Sequence, residues 1–471
     1  MAAAGEGGFI VNWGLSEQFM PKAGERFSLA VLERRFSDLP PALTHDEVLI
    51  EASRCLYCFD APCIRACPTH IDVPKFIRQI MHKNDIGAAK TILDANIFGG
   101  SCARACPTEV LCEGACVDNT LLNAPVQIGR LQRHATDAAT TKGVRFFKPG
   151  PATGKKVAII GSGPAGLTCA HELRKLGHDV VVFEARDVPG GLNTLGIAAY
   201  KISTAFALSE VELVRQVGVD LRLNQHVTAD GLTKLLGEFN AVFLGVGLGR
   251  TFPLGIEGED LPGVWESLDF IFQTHTKPFT ECEIGRRVLV IGAGNTGIDV
   301  ATAARRLGAD QVTIAYRRGN PAMPAFNYEY ELAMSDGVQF EFYAQPLRII
   351  KGGDGRAAGV EFARTRVDDP IHRDGPLHVV AGGNFVLSAD MVVKALGQQP
   401  LLDLLKSLPG LKLNGSKVAV DRATGATSIP KLFAGGDCVR GGGEIVDAVQ
   451  DGKIAAWGID AEIRKKPQKS T

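Results

Sequence analysis

The chain's 471 residues exceed what one hydrophobic core organises, and a composition 45% hydrophobic and 22% charged is that of a globular protein of several domains. A formal net charge of -1, with no basic block beyond Arg464-Lys465-Lys466, gives neither duplex nucleic acid nor an anionic membrane much to hold. The start, MAAAGEGGFIVNWG, lacks the basic and apolar regions of a leader, and no uninterrupted apolar run approaches the roughly 20 residues that span a bilayer, so a soluble, cytoplasmic protein is expected.

The first informative segment is cysteine-rich. Eight of the eleven cysteines fall between Cys55 and Cys116, and only Cys169, Cys282 and Cys438 lie outside. A reducing compartment keeps disulfides open, so metal ligation is the favoured reading. The order is Cys55-x2-Cys58-x4-Cys63-x3-Cys67-Pro68, then Cys102-x3-Cys106-Pro107, then Cys112-x3-Cys116. Structural zinc competes, yet paired zinc sites want a second C-x2-C and only one is present. The run instead resembles bacterial ferredoxins, in which a cysteine preceding proline binds the other of two clusters, and two 4Fe-4S clusters are expected. Around these cysteines, stretches such as PKFIRQIMHKNDIGAAKTIL have helical apolar spacing, punctuated at Cys67-Pro68, Gly99-Gly100 and Cys106-Pro107. A helical iron–sulfur domain over residues 1–150 is predicted.

A linker, KPGPATGKK, ends at Lys156, and the pattern changes. Strand-length runs (VAII, VVVF, AVFL, VLVI, VTIA) alternate with helical patterns, which marks parallel sheets built from βαβ units. The fold class is therefore α plus α/β, with two Rossmann-like domains after the helical one. The first glycine turn is Gly161-Ser162-Gly163-Pro164-Ala165-Gly166, with Glu184 closing the next strand. Gly161 permits the tight turn, Gly163 lets backbone approach a pyrophosphate, Gly166 packs helix on strand, and Glu184 suits ribose hydroxyls.

The second turn is Gly292-Ala293-Gly294-Asn295-Thr296-Gly297, and aligning the two units puts Arg317 where the first has Glu184. Arg317 and Arg318 can form charge-assisted hydrogen bonds to a 2′-phosphate, so NADPH is favoured over NADH. The bland alternative is that these arginines pair with surface carboxylates. Near the C-terminus, Phe433-Ala434-Gly435-Gly436-Asp437 precedes a helical pattern and would set Asp437 against the middle of an extended cofactor such as FAD. The division expected is FAD binding by 151–247 and 396–471, with an NAD(P)H-binding domain inserted at 248–395. Cys169 reads as core, His134, His171 and His178 stand isolated in the sequence, and no acid–base or nucleophile constellation emerges.

Together CLYCFDAPCIRACPTHIDVPKFI, GGSCARACPTEVLCEGAC, IGRLQ, GSGPAG, GAGNTG and FAGGD resemble one family, the N-terminal half of dihydropyrimidine dehydrogenase and its relative, the small subunit of NADPH-dependent glutamate synthase. The match runs from Ala52 to Ile459. The stretches Gly190-Gly191-Leu192-Asn193-Thr194, Val246-Gly247-Leu248 and Asp451 to Trp457 look closer to the dehydrogenase. The resemblance implies hydride transfer from nicotinamide to FAD, then single electrons through the clusters to a second flavin. It puts Gly191, Leu192 and Lys201 by the flavin and Gly436 and Asp437 by its ribityl chain. The family's G-I-P-x-F-R/K loop here reads Gly196-Ile197-Ala198-Ala199-Tyr200-Lys201, without its proline.

It also implies one cluster on Cys55, Cys58, Cys63 and Cys116 and another on Cys67, Cys106, Cys112 and Gln132, leaving Cys102 free. An all-cysteine second cluster, with Cys102 as ligand and Gln132 an ordinary helix residue, is the alternative. The chain has no room for an FMN-binding barrel of about 250 residues, so an FMN-containing partner that reduces uracil or thymine is expected, in a hetero-oligomer. A glutamate synthase partner is the competing reading, and a zinc-stabilised module that only recruits partners is a third.

Overall fold

The computed structural model describes residues 27–39 and 41–465; the N-terminal stretch 1–14 discussed above and Lys466 lie outside them. Residues 29–141 form the helices α1 (Leu29–Arg35), α2 (His45–Ser53), α3 (Pro62–Ala66), α4 (Val73–Met81), α5 (Asp85–Ala95), α6 (Gly99–Ala105), α7 (Val117–Leu122) and α8 (Ile128–Thr141). Local chemistry sets their ends. Thr44 and Glu47 form a capping box at α2. The long apolar pattern of 73–93 divides in two because Lys83 turns left-handed at φ 57° and the Asn84 side chain caps Gly87 N–H. The two Cys-Pro pairs act alike: Cys67 (ψ 118°) and Cys106 (ψ 141°) are held extended before their prolines and stop α3 and α6, so each helix ends on a cysteine.

The flavin-type domain follows with β1 (Lys156–Ile160), α9 (Pro164–Lys175), β2 (Asp179–Phe183), α10 (Leu192–Leu195), α11 (Thr204–Arg215), β3 (Asp220–Arg222), α12 (Ala229–Glu238) and β4 (Ala241–Leu244). The second domain contains β5 (Val264–Glu266), α13 (Ser267–Thr276), β6 (Arg287–Ile291), α14 (Asn295–Leu307), β7 (Gln311–Tyr316), α15 (Asn327–Ser335), β8 (Gln339–Phe342), β9 (Ala344–Lys351), β10 (Ala357–Val367), β11 (Leu377–Ser388) and β12 (Met391–Lys394). The chain then returns to the first through α16 (Leu402–Lys406), β13 (Leu413–Asn414), β14 (Lys417–Val418), β15 (Leu432–Ala434), α17 (Asp437–Arg440) and α18 (Ile445–Arg464).

Two parallel five-stranded sheets result, ordered β15-β4-β1-β2-β3 and β5-β12-β6-β7-β8. Their central strands are buried on both faces, which explains runs such as VAII and VLVI in place of alternation. The chain passes between the sheets through paired segments, with Gly249 N–H donating to Gln399 O and Gln399 N–H to Arg250 O, both at 2.7 Å. A third sheet, antiparallel β11-β10-β9, was not anticipated from the sequence.

The iron–sulfur domain is fastened to the flavin-type domain by buried polar contacts. Glu210 on α11 accepts hydrogen bonds from Gly100 N–H (2.9 Å), Ser101 N–H (3.1 Å) and the Ser101 hydroxyl, and Asn193 donates to that hydroxyl at 3.0 Å. Gly100 is glycine because a Cβ there would lie 2.4 Å from the Phe206 ring. Lys453 on α18 donates to Ala95 O at 2.6 Å.

Candidate functional site

Four cavities hold nearly all the residues the sequence singled out. The first, of about 280 Å³, opens at the C-terminal edge of the first parallel sheet. Gly161 to Ala165, Glu184, Gly191, Leu192, Gly436 and Asp437 all line it. The glycine turn is built as its spacing requires: Gly161 has φ 95°, and a Cβ on Gly166 would sit 2.0 Å from Gly161 O, so Gly166 stands behind the cavity wall. A Cβ on Gly163 would meet no protein atom within 4 Å, and α9 directs its N-terminal N–H groups from that point. Space bounded by backbone N–H groups at a helix N-terminus fits a pyrophosphate. Glu184 orders the turn, accepting from Ser162 N–H (2.9 Å), the Ser162 hydroxyl (2.6 Å) and Arg186 N–H (2.9 Å). Burial, reinforced by Asp451 and Asp447, pushes Asp437 up to about 6. The cavity also receives Leu268, Asp269 and Phe272 from α13 of the second domain, a contribution with no sequence motif.

The second cavity, of about 600 Å³, repeats this plan on the other parallel sheet. Gly292, Gly294, Asn295, Thr296, Arg317 and Arg318 line it. Gly297 lies behind, since its Cβ would fall 2.3 Å from Gly292 O. Arg317 is exposed, whereas Arg318 is 5% exposed. Arg318 donates through Nη2 to Gly375 O at 2.7 Å, and its buried Nη1 has no hydrogen-bond partner. A buried guanidinium nitrogen left unsatisfied is costly, and an anionic group in the cavity would satisfy it.

The cysteines divide between the remaining two. Cys55, Cys58, Cys63 and Cys116 line one, among apolar residues including Val73 and Ile77. Burial, then Cys55 and Cys116, pushes the Cys63 thiol up to about 12. Cys67, Cys102, Cys106, Cys112 and Gln132 line the other. Gln132 donates its amide to Gly99 O at 2.7 Å, which leaves the carbonyl oxygen as the atom it could offer a cluster, while Asn96 donates to Cys102 Sγ at 3.1 Å. Cys106 is raised by its hydrogen bond with Cys102 and by burial. Both ligand sets considered for the second cluster are thus at one cavity. Among the described residues, no three His, Cys, Asp or Glu side chains converge closely enough to hold a single ion. Thiol donors spread around a small apolar cavity suit a polynuclear cluster better than zinc's compact tetrahedron.

Lys201 departs from expectation. It is not among the residues lining the first cavity; its ammonium is buried between Asp299 (2.7 Å) on α14 and Glu329 on α15. Those carboxylates outweigh burial and hold Lys201 above its usual range. The proline-free loop places Tyr200 alongside, its hydroxyl donating to Asp299 at 2.9 Å. Two carboxylates supplied by the other domain draw the ammonium away from the cavity wall. Sequence reading also passed over Arg373 and Asp374, from the β10–β11 connection, which line the second cavity without belonging to any motif.

Two dinucleotide-type cavities behind a cysteine-bearing helical domain define a pyridine-nucleotide flavin oxidoreductase with an iron–sulfur module. The family model described as pyridine nucleotide-disulphide oxidoreductase matches residues 155–452, and that described as dihydropyrimidine dehydrogenase domain II, 4Fe-4S cluster, matches 32–144. The small chain of NADPH glutamate synthase from Escherichia coli K12 is 36% identical, covering 92% of this chain and 94% of that one. The NAD-dependent dihydropyrimidine dehydrogenase subunit PreT from the same organism is 35% identical, covering 90% and 96%. The fold matches FprA of Mycobacterium tuberculosis in complex with NADPH at a TM-score of 0.54 and 20% identity, over 66% of this chain and 85% of that one. A 2-naphthoyl-CoA reductase matches at 0.51 and 21% identity, over 85% and 49%. The chain belongs to the family of iron–sulfur NAD(P)H oxidoreductase subunits that includes the glutamate synthase small chain and PreT.

Proposed function

We propose that this chain is the electron-input subunit of a heteromeric dihydropyrimidine dehydrogenase, oxidising NAD(P)H at FAD and passing electrons through two 4Fe-4S clusters to an FMN-containing partner that reduces uracil or thymine. One observation carries the electron path: Val446 and Ala448, on the first turn of α18, line the second cysteine cavity and the first nucleotide cavity respectively. A single helical turn separates the space suited to flavin from the space suited to a cluster.

FAD would accept two electrons as hydride and the clusters would carry them one at a time. This chain's residues bind and orient. Gly161 to Gly166, Glu184, Gly191, Leu192, Gly436 and Asp437 would hold FAD, with Lys201 setting the neighbouring domain's position. Gly292 to Gly297, Arg317 and Arg318 would hold the nicotinamide cofactor. Cys55, Cys58, Cys63 and Cys116 would hold one cluster, and Cys67, Cys106, Cys112 and Gln132 the other. Leu56, which lines the first cysteine cavity, is exposed, as are Phe59, Leu121 and Leu122, close in the chain to its cysteines; such apolar surface suits a partner that collects electrons.

The relatives' names divide over the nucleotide, one NADPH and the other NAD-dependent. Arg318, buried with an unpartnered nitrogen, supports NADPH. Arg318→Glu should weaken NADPH far more than NADH; equal kcat/KM losses would remove that support.

The partner is tested on protein purified anaerobically. It should contain FAD, iron and sulfide, bleach with NADPH, and oxidise NADPH on adding uracil only with an FMN-containing partner. Full pyrimidine reduction by this chain alone would overturn the reading. The second reading, glutamate synthase, is favoured by the 36% identity above, and co-purification with a glutaminase-domain subunit would establish it in place of the first.

A further inference from the structure

The second cavity is wider than its glycine motif explains, because one wall comes from outside the βαβ repeat. Strands β10 and β11 are joined by residues 368–376, and this connection brings Arg373 and Asp374 to the same cavity as Arg317 and Arg318. It is tied in place: Arg318 Nη2 donates to Gly375 O at 2.7 Å, and Asp369 accepts from Ile371 N–H (2.9 Å) and His372 N–H (3.3 Å). The Tyr316 hydroxyl, at the end of β7, lies within the electrostatic reach of Arg373, Arg318, Arg317 and Asp374 together. The end of β7 therefore shares its cavity with three guanidinium groups and one carboxylate.

Apart from the Arg318 bond to Gly375 O, these guanidinium groups are not otherwise engaged. Among the described residues neither Arg317 nor Arg373 has a side-chain hydrogen bond or ion pair, and Arg318 Nη1 is buried without a partner. Three guanidinium groups against one carboxylate give this cavity a net positive lining that an anion would balance. A dianionic phosphate matches that charge and offers oxygens enough for all three.

We infer that the β10–β11 connection is a nucleotide-reading arm, with Arg373 a third 2′-phosphate ligand beside Arg317 and Arg318 and Asp374 opposing that phosphate. This rests on the NADPH reading of the second cavity. Selectivity is then set by the balance of Arg373 and Asp374 on one loop as well as by the residues at the end of β7. A chain with the same glycine motif and the same Arg317-Arg318 pair would shift toward NADH by changing this loop alone.

The test uses the full FAD-loaded protein and calorimetric binding of 2′,5′-ADP against AMP, which needs neither turnover nor a partner. Losing one charge-assisted hydrogen bond should weaken 2′,5′-ADP about tenfold to a hundredfold in Arg373→Ala. AMP binding should be unchanged and Arg373→Lys should recover part of the loss. Asp374→Ala should tighten 2′,5′-ADP and leave AMP alone. If Arg373→Ala binds 2′,5′-ADP as tightly as wild type while Arg318→Ala does not, the arm is not a ligand and the NADPH reading stands. An equal loss of 2′,5′-ADP and AMP in Arg373→Ala would make the loop structural and overturn the inference. Wild-type protein binding both probes equally would instead defeat the NADPH reading, and the inference with it.

Discussion

The junction between the iron–sulfur and flavin-type domains should be pH-dependent through one carboxyl group. Glu210 is 2% exposed, and burial pushes it up to about 7 despite its bonds from Ser101 and Gly100 and the nearby Arg104. An unfolded glutamate titrates at its ordinary value of 4.5, so between these values the folded state holds a proton that the unfolded state has released. Stability contributed by this group is full below the unfolded value, falls as pH rises, and levels off above the folded one. The gap corresponds to roughly 3 kcal/mol at about 1.36 kcal/mol per pH unit.

Glu210→Gln removes the titration while keeping a carbonyl oxygen for the Gly100 and Ser101 N–H groups, and its amide can donate to the Ser101 hydroxyl. The variant should match wild type at pH 5 and lose less protection on going to pH 8. Hydrogen exchange of the Gly100 and Ser101 amides reads this locally, which matters because a multidomain cofactor protein need not unfold in two states. Comparing the two proteins at each pH cancels the chemistry of exchange and the titration of every other group. Parallel protection profiles from pH 5 to 8 would refute the assignment.

Lys201→Met leaves Asp299 and Glu329 buried without their cation, a loss of about 3–5 kcal/mol. Glu329 is already raised by burial and rises further without Lys201, so the drop in Tm should be larger at pH 8 than at pH 6; a pH-independent drop would mean the pair is not ionised as drawn. Gly166→Ala brings a Cβ within 2.0 Å of Gly161 O and should lower both Tm and flavin content, whereas Gly163→Ala meets no protein atom and should lower flavin content alone. Matching effects of the two in thermal melts and flavin absorbance would contradict this division. Iron analysis and electron paramagnetic resonance should find both clusters in Cys102→Ser, one cluster lost in Cys63→Ser and one signal perturbed in Gln132→Leu. Loss of a cluster in Cys102→Ser with unchanged spectra in Gln132→Leu would transfer the ligand role to Cys102.

What was legible follows from how locally each feature is determined. The runs VAII, AVFL and VLVI are fully buried and VVVF and VTIA mostly so, so their identity is fixed by near-continuous apolarity, and the strands formed within one or two residues of those runs. The glycine turns were equally legible because a carbonyl oxygen lies about one bond length or two from where a Cβ would be at Gly166 and Gly297, an exclusion that short spacing alone reports. The cysteine cavities were readable for a related reason: proline after Cys67 and Cys106 dictates the backbone that ends each helix.

The far walls of the nucleotide cavities were not readable. Leu268, Asp269 and Phe272 reach the first cavity from α13, and Arg373 and Asp374 reach the second from a loop some fifty residues beyond Arg318 in the chain. These contacts depend on how one domain sits on another or on where a hairpin folds back, and neither leaves a periodicity. The same cause hid the partners of Lys201. Its sequence neighbourhood belongs to the flavin-type domain, but its charge is settled by Asp299 and Glu329, residues that only the tertiary fold brings to it. A lysine near a cofactor motif is drawn to whichever anion is least solvated, and here that anion is a pair of carboxylates on the adjacent domain. Lys201 therefore acts where the two nucleotide domains meet, and its influence on hydride transfer would come through the relative position of those domains.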